Sequence, residues 1–279
     1  MKLTITHRPS YKVILFSDLH YSHETKDTCF EVLRFIHKKA LEINAKIYFL
    51  GDFWDHVYRR GTLPVDLLNE MVRFFSSEWR VFTTMIPGNH DYFDSAEEEH
   101  GLEMFKQFHH IHVLDSATVL DGVLFLPYRK KPDNIRNSIA ETSEVNTIVG
   151  HLDIIGAKMN NTRKSTKGCS KDMFTVPTYS GHYHTPSVHG NVRYIGSPYQ
   201  VHLGEAEDKK HLCVINYKTG ELVDQIPIDI GRHHYKVKHL SNPDQYKKGD
   251  RVIVEETFLE EDVSDLEKRG SVFVLITLP

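Results

Sequence analysis

Three short apolar runs, each closing on a cluster of acidic, amide or imidazole side chains, constrain this chain more than any other feature. They read Lys12-Val-Ile-Leu-Phe-Ser-Asp18-Leu-His20, then Lys46-Ile-Tyr-Phe-Leu-Gly51-Asp52, then Val81-Phe-Thr-Thr-Met-Ile-Pro-Gly88-Asn89-His90-Asp91. A short apolar run bounded by turn residues signals a buried strand, and the stretches between these runs are long enough to hold a crossover helix each. Such strands lie side by side, and in open α/β sheets ligands gather at their carboxyl ends. Carboxylates, imidazoles and an amide oxygen would then share one crevice, which is a donor set for metal.

The rest of the chain supports an α/β architecture of two packed sheets with helices outside. Apolar residues at helical spacing predict a first helix over 27–43, with Cys29 packed inside, and a second over 64–79 with Val65, Leu68, Met71, Val72 and Phe75 facing the sheet. A third helix is expected over 96–108. From Ile111 the texture changes to short strands over 112–114, 118–120 and 123–127, the last two joined by an Asp121-Gly122 hairpin turn. A short helix over 134–140 precedes a strand over 146–149 that ends in Gly150-His151, and a strand over 178–180 ends in Gly181-His182-Tyr183-His184. Strands over 192–195 and 212–217 follow. Residues 1–232 read as one domain and 233–279 as a small C-terminal extension, with a strand over 251–255, a helix over 260–268 and a strand over 271–277 forming a βαβ unit.

Composition limits the partners. The 279 residues carry a formal charge of -4, so attraction to nucleic acid must come from local basic patches or bound metal. Three cysteines without metal-finger spacing argue against a disulfide framework and fit a reducing compartment. Neither an amino-terminal apolar leader nor an 18-residue apolar run is present, so the expectation is a soluble intracellular protein without a signal peptide. Of the 19 histidines, His7, His37, His100, His109, His110, His112 and His189 read as scattered surface imidazoles. Those at strand ends beside glycine or an acidic residue read as ligands.

Five strand-loop junctions thus carry Asp-x-His, Gly-Asp, Gly-Asn-His-Asp, Gly-His and Gly-His-x-His in order, and the set resembles the calcineurin-like metallophosphoesterase superfamily from about Val13 to Gly231. The resemblance implies a four-layer αββα sandwich of two mixed sheets, with the C-terminal βαβ unit as a reduced cap. It also implies two divalent metal ions, manganese foremost, with iron or zinc as alternatives. The first would take Asp18, His20 and His184, and the second Asn89, His151 and His182, with Asp52 bridging. His90 would face the phosphate as general acid or transition-state stabiliser, oriented by Asp91. Asp55 stands where some relatives carry a phosphate-facing histidine. Two such cations, roughly 3.5–4 Å apart, neutralise a phosphodiester and lower the pKa of a bound water from about 15.7 toward 7.

The string Tyr194-Ile-Gly196-Ser-Pro198-Tyr, followed by Gly204-Glu205, and the earlier Leu126-Pro127-Tyr128 resemble the DNA-repair nuclease branch of SbcD-like and phage recombination enzymes. That branch implies a DNA exo- or endonuclease. A basic loop over 158–171, with Arg163, Lys164 and Lys167, is the expected phosphate contact, extended by Arg129 and Lys130; the alternative is a solvated loop. An SMC-like ATPase partner would follow from the branch, but its docking segment is not evident after His233; a homodimer is a further expectation, and a membrane partner is not. The competing readings are a phosphodiesterase or phosphatase of nucleotides, phosphoproteins or other small esters, and a non-catalytic scaffold, whose mark would be eroded ligands.

Overall fold

The computed structural model describes residues 11–55, 57, 61–142, 144–160, 163–239, 246, 249–257 and 272–276. Strand β1 (Lys12–Phe16) shows how its layers arise. Period-two alternation sends Val13 and Leu15 to one face and Ile14 and Phe16 to the other. The same split recurs in β2 (Lys46–Phe49), where Tyr48 faces with Val13 and Ile47 and Phe49 face with Ile14. Because both faces are apolar, the sheet must be covered twice.

One cover is helical. Helix α1 (Lys26–Glu42) buries Cys29, Val32, Leu33, Ile36 and Ala40, and α2 (Val65–Ser77) buries Leu67, Met71, Phe74 and Phe75, against the outer face of the first sheet. The other cover is a second sheet. Strands β3 (Thr83–Met85), β4 (Ile111–Val113), β11 (His211–Asn216) and β12 (Glu221–Pro227) complete the first sheet, in the order β12-β11-β1-β2-β3-β4. Strands β5 (Thr118–Leu120), β6 (Val123–Leu126), β7 (Thr147–His151), β8 (Thr178–Gly181), β9 (Ser187–His189) and β10 (Val192–Tyr194) form the second, in the order β5-β6-β7-β8-β10-β9. Val123, Phe125, Val149 and Tyr179 meet Val13, Leu15 and Tyr48 in the seam, while Leu124, Leu126 and Ile148 pack outward with Ile135 of α3 (Pro132–Ala140). The result is an α/β fold of two mixed sheets between helices.

Three expectations need correction. No helix forms over 96–108; only Glu103–Gln107 closes a 3-10 turn. Asp94 Oδ1 accepts from the N–H groups of Ala96 and Glu97, Glu97 lies at φ +61°, and Gly101 is tied to Asp91 and Trp54, so local bonding replaces helix. In α2 the buried stripe is rotated: Val65 is 69% exposed and Val72 39%, because the helix turns to bury Phe74 and Phe75 against Trp79, Phe53 and Phe105. Two aromatic rings bury more apolar area than two valines. Third, the C-terminal extension holds one strand more than expected. Strand β13 (His234–His239) pairs parallel with β14 (Asp250–Thr257), which pairs parallel with β15 (Val272–Ile276). The helix expected over 260–268 lies outside the described residues. Strands β9 and β12 are additions too; both are sheet edges with much of their length exposed.

Candidate metal centre

The three parallel neighbours β1, β2 and β3 end at one level, and so do the parallel neighbours β7 and β8 of the second sheet. Asp18 and His20 follow β1, Asp52 follows β2, Asn89 and His90 follow β3, His151 closes β7, and His182 and His184 follow β8. Four of these residues hold the left-handed backbone that side chains avoid: Asp18 at φ +54°, His20 at +48°, Asp52 at +59° and His182 at +88°. Strain of this kind costs on the order of 1–3 kcal/mol per residue and persists only where the surroundings fix it, commonly at functional sites. Two glycines make the crossing of loops feasible. A Cβ on Gly51 would stand 2.5 Å from His151 Nδ1, and one on Gly88 would overlap Asp52 Oδ1.

The side chains converge in two groups. In the first, His20 Nε2 lies 3.0 Å from His184 Nε2, and His184 Nε2 lies 3.9 Å from Asp18 Oδ1. In the second, Asn89 Oδ1 lies 3.0 Å from His151 Nε2 and 2.8 Å from His182 Nδ1, and those two nitrogens are 3.2 Å apart. Asp52 stands between the groups: Oδ2 is 3.3 Å from His151 Nε2 and 4.0 Å from His20 Nε2, while Oδ1 accepts from the backbone N–H of His90 at 2.8 Å. Asp18, Asp52, His20 and His151 are all at least 98% buried.

What turns the imidazoles inward is a set of partners on their far nitrogens. His151 Nδ1 is 2.8 Å from the Leu50 carbonyl, which can only accept, so Nδ1 carries the proton and Nε2 faces the cluster. His184 Nδ1 donates to Glu205 Oε1 at 2.9 Å, and His20 Nδ1 lies 3.5 Å from Asp55 Oδ1. Carboxylate or carbonyl partners on the distal nitrogen are the usual support of a metal-binding histidine. Glu205 is itself buried and saturated: Lys210 Nζ donates at 2.6 Å and Ser197 Oγ at 3.0 Å, and the N–H groups of Val201 and His202 complete its shell. Although burial opposes its charge, His184 and Lys210 hold the Glu205 carboxyl well below the usual carboxylate range.

These donor atoms fit divalent cations. With protons committed to the far nitrogens, His20 Nε2 and His184 Nε2 present lone pairs to each other at 3.0 Å, beside the Asp18 carboxylate, and only a proton or a cation between them relieves the repulsion. Electrostatics at the second group agrees. Burial favours neutral His151, yet the Asp52 carboxylate outweighs it and raises the imidazole to about 9. His182, half-buried beside His151, is pushed down to about 3 by desolvation and that neighbouring imidazole. The set is nitrogen and oxygen without thiolate, which suits Mn, Fe or Zn rather than a soft ion. Asp18, His20 and His184 form one potential metal group and Asp52, His151 and His182 another.

The sequence profile of the calcineurin-like phosphoesterases matches residues 11–186, which include every one of these candidate ligands. The chain belongs to the calcineurin-like phosphoesterase family. It is similar to exonuclease subunit 1 of Enterobacteria phage T4, with 30% identity over 234 residues that cover 78% of this chain and 68% of that protein. It is also similar to the SbcD subunit of nuclease SbcCD from Staphylococcus epidermidis, with 26% identity over 255 residues, 72% of this chain and 67% of that one. Phosphoester hydrolysis with divalent metals is the chemistry of this family.

Around this phosphoesterase centre some expected residues stand elsewhere. Asp91 does not orient His90: its oxygens accept from the N–H groups of Asp52, Phe53, Trp54 and Gly88 at 2.8–3.0 Å, so it clamps the β2 and β3 loops together. Burial and the neighbouring Asp52 carboxylate push it up to about 7. The ring that faces His90 is His20, at 4.8 Å between centroids, and Asp55 offers an oxygen to the same group. Arg129 is no free phosphate contact, since its guanidinium donates to the Tyr92 hydroxyl and to the carbonyls of Tyr128 and Asp115. Lys130 remains exposed beside Asn89, with its N–H bonded to Glu97. Arg163, Lys164 and Lys167 are exposed on a built ribbon rather than a loose loop: Lys158 bridges Lys164, Met159 N–H donates to the Arg163 carbonyl, and Ser165 donates to Asp153. Two histidines expected at the surface are buried, His100 against Asp115 at 3.0 Å and His110 beneath Phe108. The residues that sequence reading missed are Asp55 and Leu50 as supports, and Glu205 with Lys210; for Glu205 the Gly204-Glu205 signature was the visible signal.

Among the described residues no helix is long and apolar enough to cross a membrane.

Proposed function

We propose that this chain is a two-metal phosphodiesterase acting on DNA, with manganese as the metal. The observation that carries the reading is Asp52, whose one free-facing oxygen stands between two groups of inward-turned ligands. Asp18, His20, His184 and Asp52 would hold one cation, and Asp52, Asn89, His151 and His182 the other. Together the cations supply charge neutralisation of the phosphate and a water acidified enough to attack phosphorus. The protein's own part is to orient and to move a proton. Asp55, Leu50 and Glu205 fix the imidazole tautomers, Asp91 holds the loops in register, and His90 gives a proton to the departing oxygen as the P–O bond breaks.

DNA as substrate is supported by the names of both relatives, which are nucleases, and by the exposed Arg163, Lys164 and Lys167 on the ribbon that follows His151. Both relatives are named as subunits, which supports a partner chain, of the SMC-like ATPase class that the resemblance implies. Residues 1–232 are taken as the phosphoesterase domain and 233–279 as a cap-like extension. Hydrolysis of small phosphate esters is the second reading, favoured by the net charge of -4.

Incubation with Mn²⁺ and single-stranded DNA, double-stranded DNA or a generic phosphodiester separates the two. Cleavage of DNA is expected, and intact DNA beside a hydrolysed ester would move the substrate to small esters. In His90→Ala, metal content should persist while turnover falls about 10²–10⁴-fold. Unchanged turnover would remove His90 from the chemistry.

A further inference from the structure

A cavity of about 240 Å³ opens directly beside the metal centre, lined by Asn89, Tyr92, Tyr128, Asp94, Glu97 and Lys130. Its size falls below the usual range for drug-sized ligands, roughly 300–1,000 Å³, so it suits one planar heterocycle rather than a length of duplex. Tyr128 forms the wall shared with the centre. Its ring lies 5.9 Å from the His182 ring at 36° and 6.0 Å from the His151 ring at 79°, and its N–H is tied to the Pro87 carbonyl at 3.0 Å. The side chain is only partly buried, so an aromatic surface remains for a guest. Tyr92 beneath is fully packed, with Arg129 bonded to its hydroxyl, and gives the slot a rigid floor.

The charges in this cavity decide what enters it. Asp94 and Glu97 place two carboxylates here against the single ammonium of Lys130, a balance that repels a phosphate. One oxygen of each is used within the loop, Asp94 Oδ1 by Ala96 and Glu97 N–H, and Glu97 Oε1 by Lys130 N–H. Carboxylates accept readily from the exocyclic amine of a nucleobase, as Glu and Asp do from cytosine N4. The basic ribbon with Arg163 and Lys164 lies elsewhere, on the segment after β7, and is the part suited to the sugar-phosphate chain.

We infer that this cavity is a nucleobase subsite, in which the base of the nucleotide at the scissile phosphate leaves its stack, lies on Tyr128 and offers an amine to Glu97 or Asp94. The inference rests on the phosphodiesterase reading above and narrows it to single-stranded or frayed DNA, because a paired base cannot enter the slot. Stacking of a base on an aromatic side chain contributes roughly 5- to 150-fold in affinity.

The test is equilibrium binding to the manganese-loaded protein, with dCMP, dTMP and 2-deoxyribose 5-phosphate as probes in calorimetry. The expected result is dCMP at least about 10-fold tighter than the baseless sugar phosphate. Tyr128→Leu should bring the two probes level, Tyr128→Phe should keep the difference, and Glu97→Gln combined with Asp94→Asn should erase preference for dCMP over dTMP. Equal affinities of dCMP and the sugar phosphate for the unaltered protein would overturn the subsite, as would a full difference retained in Tyr128→Leu. The two readings fail separately. DNA cut normally with equal probe affinities refutes the slot alone, and tight dCMP binding with intact DNA refutes the nuclease alone.

Discussion

Glu205 gives one oxygen to His184 Nδ1 and the other to Lys210 Nζ, and so fixes which nitrogen of a metal-type ligand faces the cluster. Replacing it by glutamine would set an amide NH2 against donors on one side, the Lys210 ammonium or the His184 Nδ1–H, and loosen that geometry. Glu205→Gln should therefore weaken binding at the Asp18, His20 and His184 group by about 10–100-fold and spare the other group, which titration of metal-free protein with Mn²⁺ would resolve as one site lost of two. A uniform loss at both sites would point to general unfolding instead. Protons give a second residue-scale prediction. His151 is held up to about 9 by Asp52, so below that pH the metal-free protein carries a proton that the cation must expel. Metal affinity should rise as pH climbs from 6 toward 9, with proton release measurable by calorimetry in buffers of different ionisation enthalpy; binding without release would contradict the ligand role of His151. At this scale the sequence named the side chains that converge but misjudged a neighbour. Asp91 sits in the same motif as His90, yet four backbone amides claim it, a bond pattern that needs the β2 loop beside it and leaves no trace in the motif.

Among elements, the strands were legible and the helix faces less so. Strand β1 was readable because its two faces are both apolar and its end is punctuated by Asp18 and His20, whereas α2 offered two nearby apolar stripes and the choice fell to the rings of Phe53, Phe105 and Trp79 waiting above it. The ribbon after β7 belongs to the same class. Its charges were visible in sequence, but its order comes from Ser165 on Asp153 and from Tyr183, whose hydroxyl also donates to Asp153. Since Tyr183 lies between the candidate ligands His182 and His184, the ribbon is anchored to the candidate metal centre through one carboxylate. Charge reversal at Arg163 and Lys164 should weaken DNA binding by about 10-fold or more and leave hydrolysis of a small chromogenic phosphodiester in place. Equal loss of both activities would reject the ribbon as a DNA contact.

For the whole molecule, the charge of -4 gives no overall attraction to DNA, so affinity must come from basic groups gathered locally. If Arg163, Lys164 and Lys167 supply the phosphate contacts, the logarithm of single-strand affinity should fall with the logarithm of salt at a slope of about -2, from about -0.7 per contact. Anisotropy titrations across salt concentrations read that slope, and a value near zero would exclude the ribbon. The family, the two-sheet fold and the donor residues all follow from local signals: runs of apolar residues dictate buried strands, and turn residues at their ends dictate where ligands project. What the linear chain could not decide was which groups stand behind the donors. Asp55, Leu50 and Glu205 reach their imidazoles only after β1, β2, β7 and β8 lie side by side, and the slot on Tyr128 exists only between the loops that follow β3 and β6. Apolar periodicity is written along the chain within a few residues, whereas a hydrogen-bond partner roughly 20 to 100 residues away is selected by packing alone.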